Sequence, residues 1–325
     1  MLYSSGLNRR LEDWSEELNM RHFIALTDFS SAELNEMLKL ALQLKKERKE
    51  GGNKPLFAGK VLAMVFQKPS LRTRVSFDMV MRHLGGDALY LSPAEIGLGK
   101  RESIADVSRV LSGYVDAVMA RVFNHEHILE LAKYSSVPVI NGLSDFNHPC
   151  QAMADMLTIL ESFDELNNLR MTFIGDGNNV AVSLVFACAK LGMHFTIASP
   201  EGYDLPQAVI TEAQDIATAT GSQIQQTNDP IAAVQDVDVI YTDTWTSMGQ
   251  EAEVQKRREV FAPFQVNEKL VGLATKGVIV MHCLPAHRGE EITDEVADGP
   301  HSVLFQQAEN RLHAQKAILV KLLSS

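Results

Sequence analysis

The sequence is poor in cysteine, with only Cys150, Cys188 and Cys283 among its 325 residues. Three cysteines do not form a disulfide framework, which fits a reducing cytosol. No apolar run approaches the ~20 residues of a membrane helix, and the polar start MLYSSGLNRRLEDWSEEL lacks the apolar core of a secretory leader. These absences predict a cytoplasmic protein that does not enter membranes, with a frayed or helical extension at residues 1–18.

Positive charge is also scarce, since 30 Lys and Arg residues face 41 Asp and Glu residues, for a net charge of -11. This acidic balance argues against nucleic acid and anionic membranes as partners. The 46% hydrophobic and 22% charged content is ordinary for a globular protein, and the length suggests two domains with separate cores. An anionic ligand would therefore need a local binding site.

One stretch does concentrate positive charge, FQKPSLRTRVSF at residues 66–77, where an apolar strand pattern passes into a helical pattern. Free N–H groups at a helix start favour an anion. Ser70 and Thr73 add hydroxyls, and Arg72 adds a planar fork suited to phosphate or carboxylate. The stretch lacks the G-x-x-x-x-G-K-[ST] pattern of nucleotide loops. A solvated basic helix end, capped by Ser70, is the alternative interpretation.

Strand-like and helix-like patterns alternate along the chain, which predicts an α/β protein with parallel sheets. We expect two domains, each with a mostly parallel sheet flanked by helices, joined near residue 150 by a helix that begins at Pro149. His125 and His127 in NHEHI are spaced wrongly for one helix face, so both are interpreted as surface residues. The predicted strands cover residues 60–66, 88–92, 117–122, 137–141, 171–174, 194–200, 237–243 and 277–284, and helices cover residues 31–50, 72–84 and 103–114.

Two motifs place imidazole, amide and thiol groups next to these elements. HPCQ begins the bridging helix, so His148 and Gln151 share one side of its first turn and can bind a carbonyl oxygen or an amide. In HCLPAHRGEEI, Cys283 is a candidate nucleophile, metal ligand or polarising thiol. With His282 and His287 it suggests zinc, although the paired C-x-x-C spacing is absent. A helix cap and a buried structural thiol are the alternatives.

Two further turns in the second half of the chain carry polar side chains. GDGNN resembles half of a dinucleotide fingerprint but has valine in place of the third glycine. Glu201, after the next strand, keeps a nicotinamide enzyme open, whereas Asn178 and Asn179 suit an amino-acid head group. In DTWTSMG, Asp243 offers a carboxylate for an ammonium group and Ser247 a hydroxyl. The polar stretch that follows is typical of a mobile lid or of an ordinary surface loop.

Taken together, SLRTR, HPCQ, HCLP and DTWTSMG resemble the motifs of the aspartate/ornithine carbamoyltransferase family, over nearly the whole chain from about Met20. HCLP and DTWTSMG are similar to the ornithine branch. The resemblance implies a carbamoyl-phosphate domain at 1–149, a C-terminal helix at about 307–325 that packs back on it, and an ornithine domain at 150–306. It implies carbamoyl transfer from carbamoyl phosphate to L-ornithine, giving L-citrulline and phosphate, in homotrimers or multiples of trimers, without a metal or organic cofactor.

The same resemblance implies the role of each site residue, with leucine and methionine acting through their backbone. The carbamoyl-phosphate set is Ser70, Leu71, Arg72, Thr73, Arg121, His148, Gln151, Cys283, Leu284 and Arg311. The ornithine set is Asn179, Asp243, Ser247 and Met248. The residues expected to act in catalysis are Arg72, Arg121, His148, Asp243 and Cys283.

Three positions depart from the family pattern. Leu71 replaces a threonine and removes one hydroxyl, although its backbone N–H can still donate. Gln67 stands where many ornithine enzymes have glutamate. Gly97 stands where many have a glutamine that reaches the phosphate site of the neighbouring subunit, and Lys100 or Arg101 is the expected substitute.

Three other functions remain open at this stage. One is carbamoyl transfer to another amine, such as putrescine or an acylated ornithine. The others are a nicotinamide oxidoreductase and a non-catalytic protein that binds an anion for regulation. The direction of the reaction, toward or away from citrulline, is not indicated by the residues.

Overall fold

A computed structural model describes residues 21–246 and 251–324 of the chain. The extension predicted at residues 1–18 lies outside the described residues, as do Ser247 and Met248. None of the described helices is both long and apolar enough to cross a membrane.

The first half of the chain forms a four-stranded parallel sheet. Its strands are β1 (Val61–Phe66), β2 (Asp87–Leu91), β3 (Ala117–Arg121) and β4 (Val139–Leu143). They lie in the order β2–β1–β3–β4, and every neighbouring pair is parallel. β1 is apolar along its length and buried from its second residue to its last. Continuous apolar strands of this kind result when helices cover both faces of a parallel sheet.

The second half forms a five-stranded parallel sheet. Its strands are β5 (Arg170–Ile174), β6 (His194–Ala198), β7 (Ile224–Thr227), β8 (Val239–Thr242) and β9 (Ile279–His282). The order is β7–β6–β5–β8–β9, again with parallel pairs throughout. The chain order therefore reverses at β5, between β6 and β8. In open parallel sheets, ligands bind at such a reversal, beyond the carboxyl ends of the strands.

Helices connect the strands and cover both sheets. The longer ones are α1 (Ser31–Lys49), α2 (Leu71–His83), α4 (Ile104–Ser112), α5 (His125–Tyr134), α6 (Pro149–Phe163), α7 (Asn179–Leu191), α8 (Gln207–Ala217), α10 (Val254–Phe261) and α13 (Leu304–Leu323). The single-turn ones are α3 (Pro93–Ile96), α9 (Pro230–Ala233), α11 (Glu268–Val271) and α12 (Asp294–Ala297). Short 3-10 turns cover Leu26–Asp28, Glu251–Glu253 and Ala262–Phe264.

The bridging helix α6 joins the two sheets through one shared core. Pro149 occupies its first turn, where a missing N–H costs nothing, and the helix is buried from Pro149 to Ile159. The C-terminal helix α13 packs against α6 and also against α1 and α2 of the first half. Side chains of both sheets, including Met64 and Phe173, belong to the same core cluster. The expected α/β fold, with two parallel sheets flanked by helices and a bridging helix, is confirmed.

The NHEHI stretch, whose two histidines were interpreted as surface residues, begins helix α5. Asn124 caps it by accepting a hydrogen bond from the Glu126 N–H. His125 and His127 are both partly buried, and His125 Nδ1 lies 2.8 Å from the Ser144 hydroxyl. His127 Nδ1 lies 3.0 Å from Gln67 Nε2. The two rings therefore contact different loops, one after β4 and one after β1.

Candidate active site

The basic stretch begins helix α2, as its sequence predicts, and its hydroxyls form a network. Ser70 is the N-cap residue, and its Oγ accepts from the Thr73 N–H at 3.4 Å. The Ser70 hydroxyl donates to Thr73 Oγ1 at 3.1 Å. Arg311 on α13 donates to the same Thr73 oxygen at 3.0 Å. Leu71 is 76% exposed. The helix end therefore presents free N–H groups together with Arg311. This arrangement favours an anion site over the alternative of a solvated basic helix end.

Four buried side chains next to this helix end have polar atoms without a hydrogen-bond partner among the described residues. They are Arg121 at the end of β3, His148 and Gln151 at the start of α6, and Arg311 on α13. The unpartnered atoms are Arg121 Nε, His148 Nδ1, Gln151 Oε1 and Arg311 Nε. Buried polar groups without partners are uncommon in proteins, so a convergent set of them indicates the place of a polar ligand.

The charges of this cluster are mutually destabilising. Burial, followed by the charges of Arg311 and Arg72, lowers the pKa of Arg121 to about 10. Burial, followed by Arg311 and Arg121, lowers the pKa of His148 well below its usual value. His148 is therefore a neutral imidazole at neutral pH. Arginines placed this close together favour a dianion between them, since the anion relieves their repulsion.

The backbone of β3 contributes to the position of Arg121. The pairing of β3 with β4 shifts register between Ala120 and Arg121, so that Arg121 lies opposite Leu143. Such irregularities re-aim a side chain at the end of a strand and occur next to ligand sites. The position of His148 is fixed through its backbone, because its N–H donates to Ser183 Oγ on α7 at 2.8 Å.

A second polar group lies at the carboxyl ends of β8 and β9. Asp243 is 8% exposed, and its Oδ1 accepts from the Cys283 thiol at 3.1 Å. Its Oδ2 accepts from Asn178 Nδ2 at 2.8 Å. Asn179, the next residue, instead donates its Nδ2 to the Ser144 carbonyl at 2.7 Å, which links α7 to the loop after β4. Asn178 is thus the asparagine that contacts Asp243, while Asn179 keeps its carbonyl oxygen and the second hydrogen of its amino group for a ligand.

The HCLP segment after β9 is held by its own histidine. The Leu284 N–H donates to His282 Nδ1 at 2.9 Å, and His282 Nε2 lies 2.9 Å from Glu291 Oε1. Since Nδ1 accepts, the ring proton is on Nε2 and points to Glu291. The N–H of Leu284 is therefore used inside the loop, which leaves its carbonyl oxygen for a ligand.

The thiol of Cys283 is neutral in this setting. Burial, followed by the charge of Asp243, raises its pKa well above the usual value. The thiolate is the reactive form of cysteine, so Cys283 is poorly suited to act as a nucleophile. It is well suited to donate its hydrogen to Asp243 and to shape the site.

The three residues of the zinc hypothesis, Cys283, His282 and His287, do not form one cluster of ligand atoms. Ligand atoms of Asp243, His282 and Cys283 lie within 4.8 Å of one another, whereas His287 groups with Glu290 and Glu291. Both ring nitrogens of His282 are engaged, one by the Leu284 N–H and the other by Glu291. His282 therefore has no lone pair left for a metal.

The second glycine of GDGNN is explained by packing. A Cβ at Gly177 would lie 2.6 Å from the backbone of Asp204, which passes directly over the turn. The second residue of the motif, Asp176, pairs with Arg257 at 2.7 Å, and Arg257 also donates to the Trp245 carbonyl at 2.8 Å. From Val254 onward the predicted lid stretch is helical, and this arginine ties it to the turn.

Two departures from the family pattern can be placed. Gln67 lies between loops: its Oε1 accepts from the Phe123 N–H at 2.8 Å and its Nε2 donates to the Leu98 carbonyl at 3.2 Å. Gly97 ends the short helix α3 with φ 49°, a left-handed conformation that glycine adopts readily. Lys100 and Arg101 follow it on the surface.

Comparison with known proteins decides the family. The model of the aspartate/ornithine carbamoyltransferase carbamoyl-P binding domain matches residues 21–161, and the model of the Asp/Orn binding domain matches residues 167–322. The chain belongs to the aspartate/ornithine carbamoyltransferase family. The resemblance read from the motifs is thereby confirmed, and the junction of the two family models falls at the end of α6.

Individual relatives place the chain among the ornithine enzymes of this family. It is 54% identical to the ornithine carbamoyltransferase of Anoxybacillus flavithermus, over 94% of this chain and 98% of that protein. It is also 54% identical to the anabolic ornithine carbamoyltransferase of Pyrococcus furiosus, over 92% and 95% of the two chains. The solved ornithine carbamoyltransferase structure from Pyrococcus furiosus is similar with a TM-score of 0.92 and 52% identity, over 94% of this chain and 97% of that one.

Proposed function

We propose that this chain transfers the carbamoyl group of carbamoyl phosphate to the δ-amine of L-ornithine, giving L-citrulline and phosphate. The observation that carries the proposal is the convergence of unpartnered buried atoms of Arg121, His148, Gln151 and Arg311 beside the start of α2. Relatives at 54% identity bear the name of this activity. Cys283 of HCLP donates to Asp243 of DTWTSMG, which supports a place for the second substrate at the ends of β8 and β9.

Carbamoyl phosphate is assigned to the first cluster. The start of α2 binds the phosphate through Ser70, Arg72, Thr73 and the Leu71 N–H, because a helix N-terminus and a guanidinium both favour a dianion. The carbamoyl group then lies toward the buried polar atoms of α6, β3 and α13. The residues assigned to it are Arg121, His148, Gln151, Arg311, Cys283 and the Leu284 carbonyl.

The chemistry is direct attack of the amine nitrogen on the carbonyl carbon, followed by cleavage of the bond from that carbon to the phosphate oxygen. Negative charge grows first on the carbonyl oxygen and then on the phosphate. Each preorganised donor at such a position is worth about 2.7–4 kcal/mol. Arg121 and the neutral His148 serve the carbonyl oxygen, and Arg72 with Thr73 serves the phosphate.

The attacking amine must first lose a proton. An amine with a pKa near ~10.4 lies about three units above pH 7.4, so its deprotonation costs about 4 kcal/mol. Cys283 is a neutral thiol because its pKa is raised, and it does not accept this proton. The two remaining acceptors are Asp243 and the departing phosphate.

L-Ornithine is assigned to the second group, at the ends of β5, β8 and β9. Asp243 is the carboxylate available for a cationic amine, and Asn178 holds its Oδ2 in place. Asn179 contributes its carbonyl oxygen. Ser247 and Met248 complete this assignment from the motif, although both lie outside the described residues.

We also propose the assembly and the domain limits. The domains are 1–149 with 307–325, which binds carbamoyl phosphate, and 150–306, which binds ornithine. A homotrimer, or a multiple of trimers, in the cytoplasm is part of this proposal. Association between subunits is supported by large exposed apolar side chains in the first half, namely Leu71, Leu89, Tyr114 and Phe123. Lys100 or Arg101 would then supply the cross-subunit contact that Gly97 lacks.

A colorimetric citrulline assay tests the function. The purified chain is incubated with carbamoyl phosphate and, in parallel, L-ornithine, putrescine or an acylated ornithine. Product is expected with L-ornithine at much the highest kcat/KM. Binding of carbamoyl phosphate without product from any amine would instead indicate the regulatory alternative, and NADH fluorescence enhancement would indicate the nicotinamide alternative.

A further inference from the structure

Asp155 is a buried carboxylate that none of the motifs singles out. It lies on α6 one turn after Gln151, and its exposed fraction is 0%. A fully buried carboxylate is costly unless hydrogen bonds compensate for the lost water. Its partners therefore indicate what it does for the site.

Three side chains from three different elements donate to Asp155. Gln151 Nε2 and Gln307 Nε2 both lie 2.8 Å from Oδ1. The Tyr241 hydroxyl on β8 lies 3.2 Å from Oδ2. Burial raises the pKa of Asp155 to about 7, against the lowering effect of these donors. The hydroxyl of Tyr241 can accept as well as donate, so a proton on Oδ2 leaves Oδ1 an acceptor.

The contact with Asp155 determines which way the carboxamide of Gln151 faces. A carboxylate oxygen only accepts, so the amino group of Gln151 must point to Asp155. The carbonyl oxygen of Gln151 then points to the other side, and this Oε1 is buried without a partner. Rotation of the amide by a half turn would place oxygen against oxygen at Asp155.

Gln307 cannot release Asp155 by turning its own amide. Its Oε1 accepts from the His282 N–H at 2.9 Å, and its Nε2 also lies 3.1 Å from the Tyr241 hydroxyl. Both ends of Gln307 are therefore committed. This network connects the carbamoyl site to the segment that carries Cys283. With or without a proton on Oδ2, Oδ1 of Asp155 remains the acceptor for Gln151 and Gln307.

We propose that Asp155 is a positioning residue, which holds Gln151 with Oε1 facing the amino group of carbamoyl phosphate and so makes the site select a carbamoyl over an acetyl donor. This inference rests on the proposed function. Acetyl phosphate has the same phosphate and carbonyl but a methyl group in place of the amino group. It gains nothing from an acceptor at this position, whereas carbamoyl phosphate gains a hydrogen bond.

Asp155→Leu tests the proposal, because it keeps a similar bulk and removes the acceptor that fixes the amide of Gln151. The measurements are the KM for carbamoyl phosphate in citrulline formation and the inhibition constant of acetyl phosphate as its competitor. The KM for carbamoyl phosphate is expected to rise roughly 10-fold, as for one lost buried hydrogen bond. The inhibition constant of acetyl phosphate is expected to stay within about 2-fold of the wild-type value. The wild type is assayed first, so absence of citrulline there counts against the proposed function and not against Asp155.

Two further variants separate positioning from general support of the fold. Tyr241→Phe removes the donor to Oδ2 and leaves the contact between Oδ1 and Gln151, so the preference for carbamoyl phosphate is expected to persist. In a Gln151→Ala background, Asp155→Leu is expected to add no further loss of preference, because Asp155 acts through Gln151. If Asp155→Leu does not fold, Asp155→Ala, which also removes the acceptor, supplies the same comparison. Asp155→Asn, which can keep an oxygen toward Gln151 and donate to the Tyr241 hydroxyl, should retain the preference.

Three results would overturn the proposal. Equal weakening of carbamoyl phosphate and acetyl phosphate would mean that Asp155 only supports the fold. Loss of preference in Tyr241→Phe would mean the same. A further loss in the Gln151→Ala background would mean that Asp155 acts by another route.

Discussion

The replacement of Asp243 by asparagine is the most informative perturbation of the ornithine site. The carboxylate is nearly buried and accepts from Asn178, from the Cys283 thiol and from the Thr244 N–H. Asparagine keeps the size but removes the charge. A unit-charge pair at ~4 Å is worth about 4 kcal/mol at an effective dielectric constant of ~20. The cost of removing both charges from water reduces this figure.

We therefore expect Asp243→Asn to lower kcat/KM for ornithine by about 100- to 1000-fold. Carbamoyl phosphate binding, measured by calorimetric titration, should be nearly unchanged, because that ligand is assigned to the start of α2. Asp176→Asn is the matched control, since it removes a nearby carboxylate whose charge Arg257 already offsets. Its effect on ornithine kinetics should be far smaller.

Norvaline, which has the α-amino group of ornithine and lacks the δ-amine, identifies the amine that Asp243 binds. Unchanged inhibition by norvaline in the variant assigns the carboxylate to the δ-amine, and weakened inhibition assigns it to the α-ammonium. Equal weakening of ornithine and carbamoyl phosphate would refute the reasoning, because Asp243 would then support the fold. Normal kinetics with both substrates would remove the DTWTSMG turn from the ornithine site.

Substitutions at three other positions test the remaining parts of the site. Arg72→Ala should nearly abolish citrulline formation while the thermal unfolding temperature stays close to that of the wild type, and a near-normal rate at saturating carbamoyl phosphate would exclude Arg72 from the mechanism. Cys283→Ser should retain measurable turnover with an altered KM for ornithine, and a carbamoyl-thiol adduct in the wild type, found by mass spectrometry, would contradict the non-covalent mechanism. Glu291→Ala leaves the buried His282 Nε2–H without an acceptor and should cost about 1–3 kcal/mol of unfolding free energy. Glu291→Gln keeps an acceptor and should cost less, so equal losses would argue against this role.

Much of the fold could be predicted because its signals are local. The apolar run of β1, predicted at residues 60–66, forms Val61–Phe66, and the helix predicted at 72–84 forms Leu71–His83. Helix α8 and strand β7 were not assigned, since Gln207–Ala217 and Ile224–Thr227 are polar on their exposed faces. Such elements are stabilised by the neighbours they pack on, which a local pattern does not contain.

The candidate site was predictable motif by motif but not contact by contact. Each of four motifs was recognisable as a ligand-binding turn, namely SLRTR, HPCQ, HCLP and DTWTSMG. The family resemblance implied which substrate each of them binds. The roles of Gln67 as a link between loops and of Gln307 as a partner of Asp155 have no signal in the sequence. Each of these glutamines is an ordinary polar residue in its local context, and only its distant neighbours give it a function.

The sequence by itself determined where strands pass into helices and which of those junctions carry anion-binding groups, because capping and helix starts depend on residues a few positions apart. Only the tertiary structure decided which junctions meet. Arg311 reaches Thr73 across 238 positions of sequence because α13 packs back on α2. It also decided that Asn178, and not Asn179, contacts Asp243. Adjacent side chains at a helix start point in different directions, so the start of α7 turns Asn178 toward Asp243 and Asn179 toward the Ser144 carbonyl.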